Sequence, residues 1–249
     1  MHRLASLVLG LTVTALAAPA HSLEVTGRRL EVSGGVDTKV GLKLVTDLMK
    51  LDEASDSPIY LFVTGSGGSA QGIMMVSDAI KSLGAPVVAV VMAPLSGATA
   101  TLPLFADRVV MLPNAQLVLT EVDYEGVPRP PEPKAEAEAA PGATAGPAAP
   151  KKEPSKAEAF MQSVRASYLE RFWAAVGKRL NEQGKALQAA IEGQGGRVIT
   201  AQEALNKKVA HEVVSSLTTT RSANEKTELK VTTTRNKTRT AAPEAPGTN

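Results

Sequence analysis

Gly65-Ser66-Gly67-Gly68-Ser69 and Met92-Ala93-Pro94-Leu95-Ser96-Gly97-Ala98 are the two stretches that decide the fold of this chain. Each follows a run typical of a buried strand, Ile59–Val63 before the first and Val87–Val91 before the second. Each is followed by small residues and a helical pattern. A strand that ends in glycines before a helix exposes backbone N–H groups, which can bind a negative charge. We therefore expect the two turns to form one shared pocket.

Strands and helices are predicted to alternate from residue 23 to residue 125. The strands are apolar almost throughout, which favours a parallel sheet that is covered on both faces and has helices packed outside it. The predicted strands are Leu30–Gly35, Ile59–Val63, Pro86–Met92, Val109–Leu112 and Gln116–Leu119, and the predicted helices are Val40–Leu51, Ala70–Leu83 and Ala98–Ala106. This pattern predicts an α/β fold.

A change in composition interrupts this domain at residues 126–158, where Pro, Ala, Glu and Lys dominate. Such a segment buries too little apolar surface to offset the entropy of ordering, so we expect a disordered insertion. The domain as a whole is predicted to cover residues 23–217. After the insertion, helices are predicted at Phe160–Leu180 and Lys185–Glu192, and a strand at Val209–Val214. Between them, Thr200 and Glu203 form the pattern of a capping box, which predicts the start of a further helix. A flexible polar tail is expected to follow the domain at 218–249.

The N-terminus has the pattern of a secretory signal peptide at residues 1–22. A basic start, Met1-His2-Arg3, precedes the apolar stretch Leu4–Ala18, and small residues allow cleavage after Ala20 or after Ser22. The alternative is a membrane anchor, but the apolar stretch is short for a bilayer span. We therefore expect export, with the mature protein periplasmic or secreted.

Composition excludes several classes of site. The chain has 249 residues, with 27 Lys and Arg against 25 Asp and Glu, so we expect no dedicated nucleic-acid surface. It contains no cysteine, which excludes disulfides, zinc–thiolate sites and a thiol nucleophile. No cofactor or metal is expected.

Four segments resemble the proteolytic subunit of Clp protease, within the wider Clp/crotonase fold. They are residues 29–34, residues 59–69, residues 90–98 with 108–115, and residues 197–205. The resemblance implies a spiral of ββα units with a parallel sheet and a serine peptidase activity. It also extends to signal-peptide peptidases and NfeD-type membrane proteases, which share this fold. Fold is implied more strongly than activity, because one fold can carry unrelated functions.

The resemblance assigns a catalytic role to Ser96 as the nucleophile. Backbone N–H groups of Gly68 and Gly97 would then form the oxyanion hole, where losing one donor in a known protease costs about 2.7–4 kcal/mol. The alternative for Ser96 is a helix N-cap without chemistry, since serine is a preferred cap. The alternative for the glycines is a tight turn, which is compatible with an oxyanion hole.

The residues that would activate the serine depart from the family pattern. The position of the general-base histidine is occupied by Thr120, and the position of the acidic residue by Gly196. A serine hydroxyl at its ordinary pKa is a weak nucleophile and needs an adjacent base. The sequence therefore leaves two functions open. One is an exported serine peptidase, and the other is an inactive relative that serves as a peptide-binding or assembly module.

Three kinds of substitute base remain. A lysine would serve as in the signal-peptide and NfeD-type peptidases, provided that it is desolvated; the candidates are Lys151, Lys152 and Lys156. The others are a carboxylate, Glu121 or Asp123, acting directly on Ser96, and the imidazole of His211, for which a plain surface position is the alternative.

The expected partners follow from the resemblance and the compartment. We expect a peptide or protein substrate. The Phe160–Leu180 helix allows a homo-oligomer, and the alternative is that its apolar face packs on the sheet. An ATP-dependent unfoldase is not expected, because ATP is scarce outside the cytoplasm. A thioester-binding site of the crotonase type is also disfavoured, because an exported protein has little access to coenzyme A.

Overall fold

The computed structural model describes residues 22–25, 27–127 and 155–219. They form a mostly parallel sheet with helices on one face, which confirms the predicted α/β class. The strands are β1 (Ser22–Val25), β2 (Arg29–Ser33), β3 (Ile59–Ser66), β4 (Val87–Ser96), β5 (Arg108–Met111), β6 (Gln116–Leu119), β7 (Arg197–Thr200), β8 (Glu212–Val213) and β9 (Ser216–Thr219). The helices are α1 (Thr38–Ala54), α2 (Ala70–Ser82), α3 (Lys156–Leu180), α4 (Gly184–Gln194) and α5 (Ala201–Asn206), with a 3-10 helix at Gly97–Phe105.

Strand β4 is the branch point of the large sheet. The sheet runs in the order β2-β3-β4-β5-β8, and all four of these pairings are parallel. The first half of β4 pairs with β5 through Val88–Val91, whereas its last two residues, Leu95 and Ser96, pair with β6. Strand β7 then joins β6 in antiparallel fashion. The end of β4 thus has β3 on one side and β6 on the other.

Side-chain caps fix where the two helices next to the glycine turns begin. Helix α1 starts after Asp37, whose carboxylate accepts a hydrogen bond from Val40 N at 2.7 Å. Helix α2 starts after Ser69, whose hydroxyl accepts from Gly72 N at 3.2 Å. Such caps satisfy backbone donors that have no partner within the helix.

The two faces of the sheet are covered differently. Helices cover one face, and the second half of α3 buries Phe172 and Trp173 there. The other face carries a smaller apolar cluster that consists of Val25, Phe62, Val88, Val90, Val110 and Val214. Strands β1 and β9, which pair in parallel, contribute Val25, Leu23 and Leu217 to this second cluster. The expectation of two covered faces holds, although a two-stranded sheet replaces helices on the second face.

Several element boundaries differ from the sequence predictions. Helix α3 begins at Lys156, inside the segment expected to be an insertion, because Ser155 and Glu158 form a capping box. Strand β9 extends to Thr219, beyond the expected start of the tail at 218. Strand β1 begins at Ser22, which is the last residue of the expected signal peptide. The final strand, expected at Val209–Val214, is shorter and consists of Glu212 and Val213, which form β8. No helix in the described ranges is both long and apolar enough to span a bilayer.

We predict that the two halves of α3 contribute very unequally to stability. Phe172 is fully buried, so Phe172→Ala should lower the free energy of unfolding by about 3–5 kcal/mol. Phe160 is 65% exposed, so the matched change Phe160→Ala should alter it by less than about 0.5 kcal/mol. Urea denaturation of both variants measures the difference, and equal losses would contradict the packing described for α3.

Candidate active site

The two glycine turns lie against each other. Strand register pairs Ser66 with Ser96, and Gly67 N donates to Ser96 O at 3.1 Å. Gly97 has φ +68, and a Cβ there would lie 2.9 Å from both Gly67 Cα and Gly67 N. Only glycine fits so close a backbone contact. The two turns therefore lie side by side, as a shared pocket would require.

Gly68 is held by an equally close contact with the loop after β2. Its φ is +90, and a Cβ would lie 2.6 Å from Val36 N and 2.7 Å from Val36 O. None of the hydrogen bonds among the described residues uses the N–H of Gly68. This N–H is the one that the sequence assigns to an oxyanion hole.

The buried side chain of Thr99 ties both turns to the loop after β2. Its hydroxyl accepts from Val36 N at 3.1 Å and lies 3.0 Å from Gly67 O and 3.3 Å from Gly34 O, either of which can accept its proton. Thr99 N also donates to Gly67 O at 2.9 Å. One residue at the start of the 3-10 helix thereby fixes three backbone segments.

Ser96 occupies the N-cap position of the 3-10 helix, but its side chain does not cap it. The residue is half-buried and extended, with φ −139 and ψ 165. Its Oγ takes part in none of the hydrogen bonds among the described residues. The capping alternative therefore has no hydrogen bond to support it, and no base contacts this hydroxyl within those ranges.

Strand register places the expected base and acid positions beside Ser96. Ser96 pairs with Val118 of β6, and Thr120 lies two residues further on, so strand alternation gives both β6 residues the same half-buried face. Antiparallel pairing of Leu119 with Arg197 then brings Gly196 next to Thr120. Thr120 and Gly196 thus lie just past the ends of β6 and β7, two residues beyond the level of Ser96, and neither is a general base or a carboxylate.

Gly196 has little room for a side chain. Its φ is +141, and a Cβ would lie 3.1 Å from Leu119 O and 3.3 Å from Thr120 Cγ2. The strand that follows is anchored by a network of ion pairs, in which Arg197 lies 2.6 Å from Glu182, and Lys207 lies 3.1 Å from the same carboxylate. An acidic residue at position 196 would therefore require the backbone here to shift.

Neither Lys156 nor His211 has the surroundings that a base for Ser96 needs. Lys156 is the first residue of α3 and its side chain is exposed, so it lacks the desolvation that a lysine base needs. Lys151 and Lys152 lie outside the described residues. His211 bonds to Val109, which is level with Ala89 of β4, and Ser96 is seven residues further along, or roughly 20 Å.

Glu121 and Asp123 follow β6 and have exposed side chains. The backbone of Asp123 forms a bridge to Ser69, and its carbonyl accepts from Ala70 N at 3.0 Å. The segment after β6 thus runs along the start of α2, immediately beyond Gly68.

Glu125 secures this segment and has no counterpart in the sequence analysis. Its carboxylate accepts hydrogen bonds from the hydroxyl and the N–H of Thr38, the latter at 3.0 Å, and lies 3.5 Å from the hydroxyl of Ser69. The hydrogen bonds from Thr38 lower the pKa of Glu125 below its ordinary value. Because 87 residues separate Glu125 from Thr38, no local pattern could have indicated the contact.

Comparison with known proteins agrees with this geometry. Residues 21–123 match the family model described as Clp protease. This part of the chain is similar to Clp protease. It is 34% identical over 94 residues to the ATP-dependent Clp protease proteolytic subunit 2 of Pseudomonas aeruginosa, an alignment that covers 37% of this chain and 47% of that protein. The Clp-protease-like chain thus spans about half the length of this curated relative.

The family match covers the positions that build the glycine turns and β6. It includes Gly68, Ser96 and Thr120 but ends before α3 and Gly196. The scaffold around Ser96 in the Clp-protease-like chain is therefore supported by geometry and by comparison, whereas the activating residues are supported by neither.

We predict that the hydroxyl of Thr99 contributes more to the free energy of unfolding than the hydroxyl of Thr101 does. Thr99→Val keeps the shape but leaves the buried Val36 N–H without an acceptor, which should cost about 1–3 kcal/mol of unfolding free energy. Thr101→Val is a matched control, since this equally buried hydroxyl bonds only within its own helix, to Ala98 O at 2.7 Å. Chemical denaturation compares the two, and a Thr101 variant as unstable as the Thr99 variant would refute the role of Thr99.

We predict a pH-dependent contribution from Glu125. Its pKa is lower in the folded chain than in the unfolded chain, so its stabilisation is complete above the unfolded value and is lost as the pH falls through the folded value. Glu125→Gln should therefore lower Tm at pH 7 and have a smaller effect near pH 3. Thermal unfolding at both values tests this, with Glu53→Gln as an exposed control. A loss of equal size at both pH values would contradict the assignment.

Proposed function

We propose that this Clp-protease-like chain binds extended peptides beside its glycine turns and does not hydrolyse them. The observation that carries the proposal is that Thr120 and Gly196 occupy the expected base and acid positions near Ser96, and that no base among the described residues bonds to its hydroxyl. A positioned general base typically contributes 10²–10⁴-fold to the rate of a proton-transfer step. Without one, the hydroxyl of Ser96 remains protonated and weakly nucleophilic.

Peptide binding is the part of a peptidase cycle that this scaffold supports without a base. An extended peptide is recognised mainly through its backbone N–H and C=O groups. The N–H of Gly68 has no acceptor among the described residues and can donate to a peptide carbonyl. Neither the base nor the acid is needed for that hydrogen bond.

A second candidate is a serine peptidase that acts through Ser96. It is favoured by the half-buried Oγ of Ser96, which makes no hydrogen bond within the described ranges and stands at the start of a helix beside Gly68 and Gly97. In this case the base would come from Lys151 or Lys152. Both candidates include export after removal of residues 1–22 and assembly of several copies, which fractionation of cells and light scattering would test.

Labelling of the serine distinguishes the two candidates. A fluorophosphonate probe reacts with an activated serine, so we expect no Ser96-dependent labelling of the purified protein. The variant Ser96→Ala supplies the background. Labelling that Ser96→Ala abolishes would overturn the non-hydrolytic proposal and favour the peptidase.

A gain-of-function variant shows whether the pocket itself is intact. Thr120→His places an imidazole on the same face as Ser96, so we expect it to raise Ser96-dependent labelling above that of the wild type. Lys81→His, at the exposed C-terminal end of α2, is the control for an added imidazole. Binding is followed separately by the fluorescence anisotropy of a mixture of labelled decapeptides, which Ser96→Ala should leave unchanged. Absence of any peptide binding by the folded protein would refute the proposal.

A further inference from the structure

A separate cavity of about 140 Å³ opens at the other end of the sheet from Ser96. It is lined by Leu104, Asp107, Val109, Arg179, Lys208 and His211, among others. Since His211 and Val109 are level with the first half of β4, the cavity is distinct from the glycine turns. At roughly 30 Å³ for each water molecule, it has room for about four or five of them, or for one small polyatomic ion.

Positive charge dominates the lining of this cavity. Arg179 and Lys208 take part in none of the ion pairs among the described residues. The guanidinium of Arg179 makes one long contact, 3.5 Å from Nη2 to Phe105 O, which leaves most of its N–H donors available. The opposing charge is Asp107, whose carboxylate accepts from Val87 N at 2.8 Å, so the two cations outnumber one anion in the lining.

His211 contributes a further donor. Its Nδ1 accepts a hydrogen bond from Val109 N at 3.0 Å, so the neutral ring carries its proton on Nε2. The ring is therefore fixed in the tautomer that presents an N–H rather than a lone pair away from the strand. Three side chains with donors thus surround the cavity.

The backbone conformation of Lys208 is a second observation that favours a role for its side chain in the cavity. Lys208 follows α5 with φ +58, a left-handed conformation that glycine adopts at least cost after a helix. Its N–H donates to Leu205 O at 3.0 Å, so the turn itself needs only the backbone. A lysine at this position is unfavourable for the turn and supplies a cation to the cavity.

We propose that this cavity binds a small tetrahedral oxyanion of the phosphate or sulfate class. Arg179 provides the planar set of donors that suits oxyanions, Lys208 adds a second charge, and His211 donates from Nε2. Leu104 and Val109 form the apolar wall behind them. The site is independent of whether Ser96 is catalytic.

Thermal unfolding of the full-length purified protein tests the proposal with inorganic phosphate as the probe, at an ionic strength held constant with NaCl. Phosphate at ten times its Kd should raise Tm by about 3–6 °C. Arg179→Gln should weaken the affinity at least tenfold. Lys178→Gln, which removes the neighbouring exposed charge on the same helix, should leave the affinity unchanged.

Lys208→Gly keeps the test informative even if other variants unfold. Glycine relieves the left-handed backbone, so this variant should be at least as stable as the wild type without phosphate and yet lose the phosphate-dependent rise in Tm. Isothermal titration with phosphate and with acetate distinguishes a tetrahedral oxyanion from any carboxylate, and the former should bind more tightly. Equal Tm shifts in wild type, Arg179→Gln and Lys208→Gly would overturn the proposal, as would equal affinity for acetate.

Discussion

The hydroxyl of Thr99 is the contact on which the arrangement of the glycine turns depends. It joins the loop after β2, the turn after β3 and the helix after β4, through Val36 N, Gly67 O and Gly34 O. Three backbone segments from separate parts of the chain can meet at one small side chain only if glycines allow them to approach. The positive φ values of Gly68 and Gly97 and the buried threonine are therefore parts of one packing solution.

The branching of β4 converts this packing into a site. Its first half is flanked by β3 and β5 and carries buried apolar side chains. Its last residue, Ser96, lies between β3 and β6 and is only half-buried. The same branch brings β6, and through it β7, alongside the serine. The placement of β6 and β7 near the serine is thus a consequence of sheet topology, and it exists whatever residues follow those strands.

Sequence periodicity predicted the elements that bury one face or both. Helix α2 and strand β6 were placed almost to the residue, because apolar spacing and flanking turns agree there. The start of α3 was missed although its signal, Ser155 with Glu158, stood inside a Pro- and Ala-rich segment that masked it. Strands β1 and β9 and the role of Glu125 depend on contacts between residues far apart in the chain, and neither has a local pattern.

The parts of the site that the fold requires are also the parts that catalysis would use. Gly68 and Gly97 are fixed by backbone contacts too close for any side chain, so the fold would retain them in an enzyme and in a binding protein alike. The hydroxyl of Ser96 and the side chain of Thr120, by contrast, make no contact on which the sheet depends. The identities of residues 96 and 120 therefore bear on activity more directly than the glycine turns do.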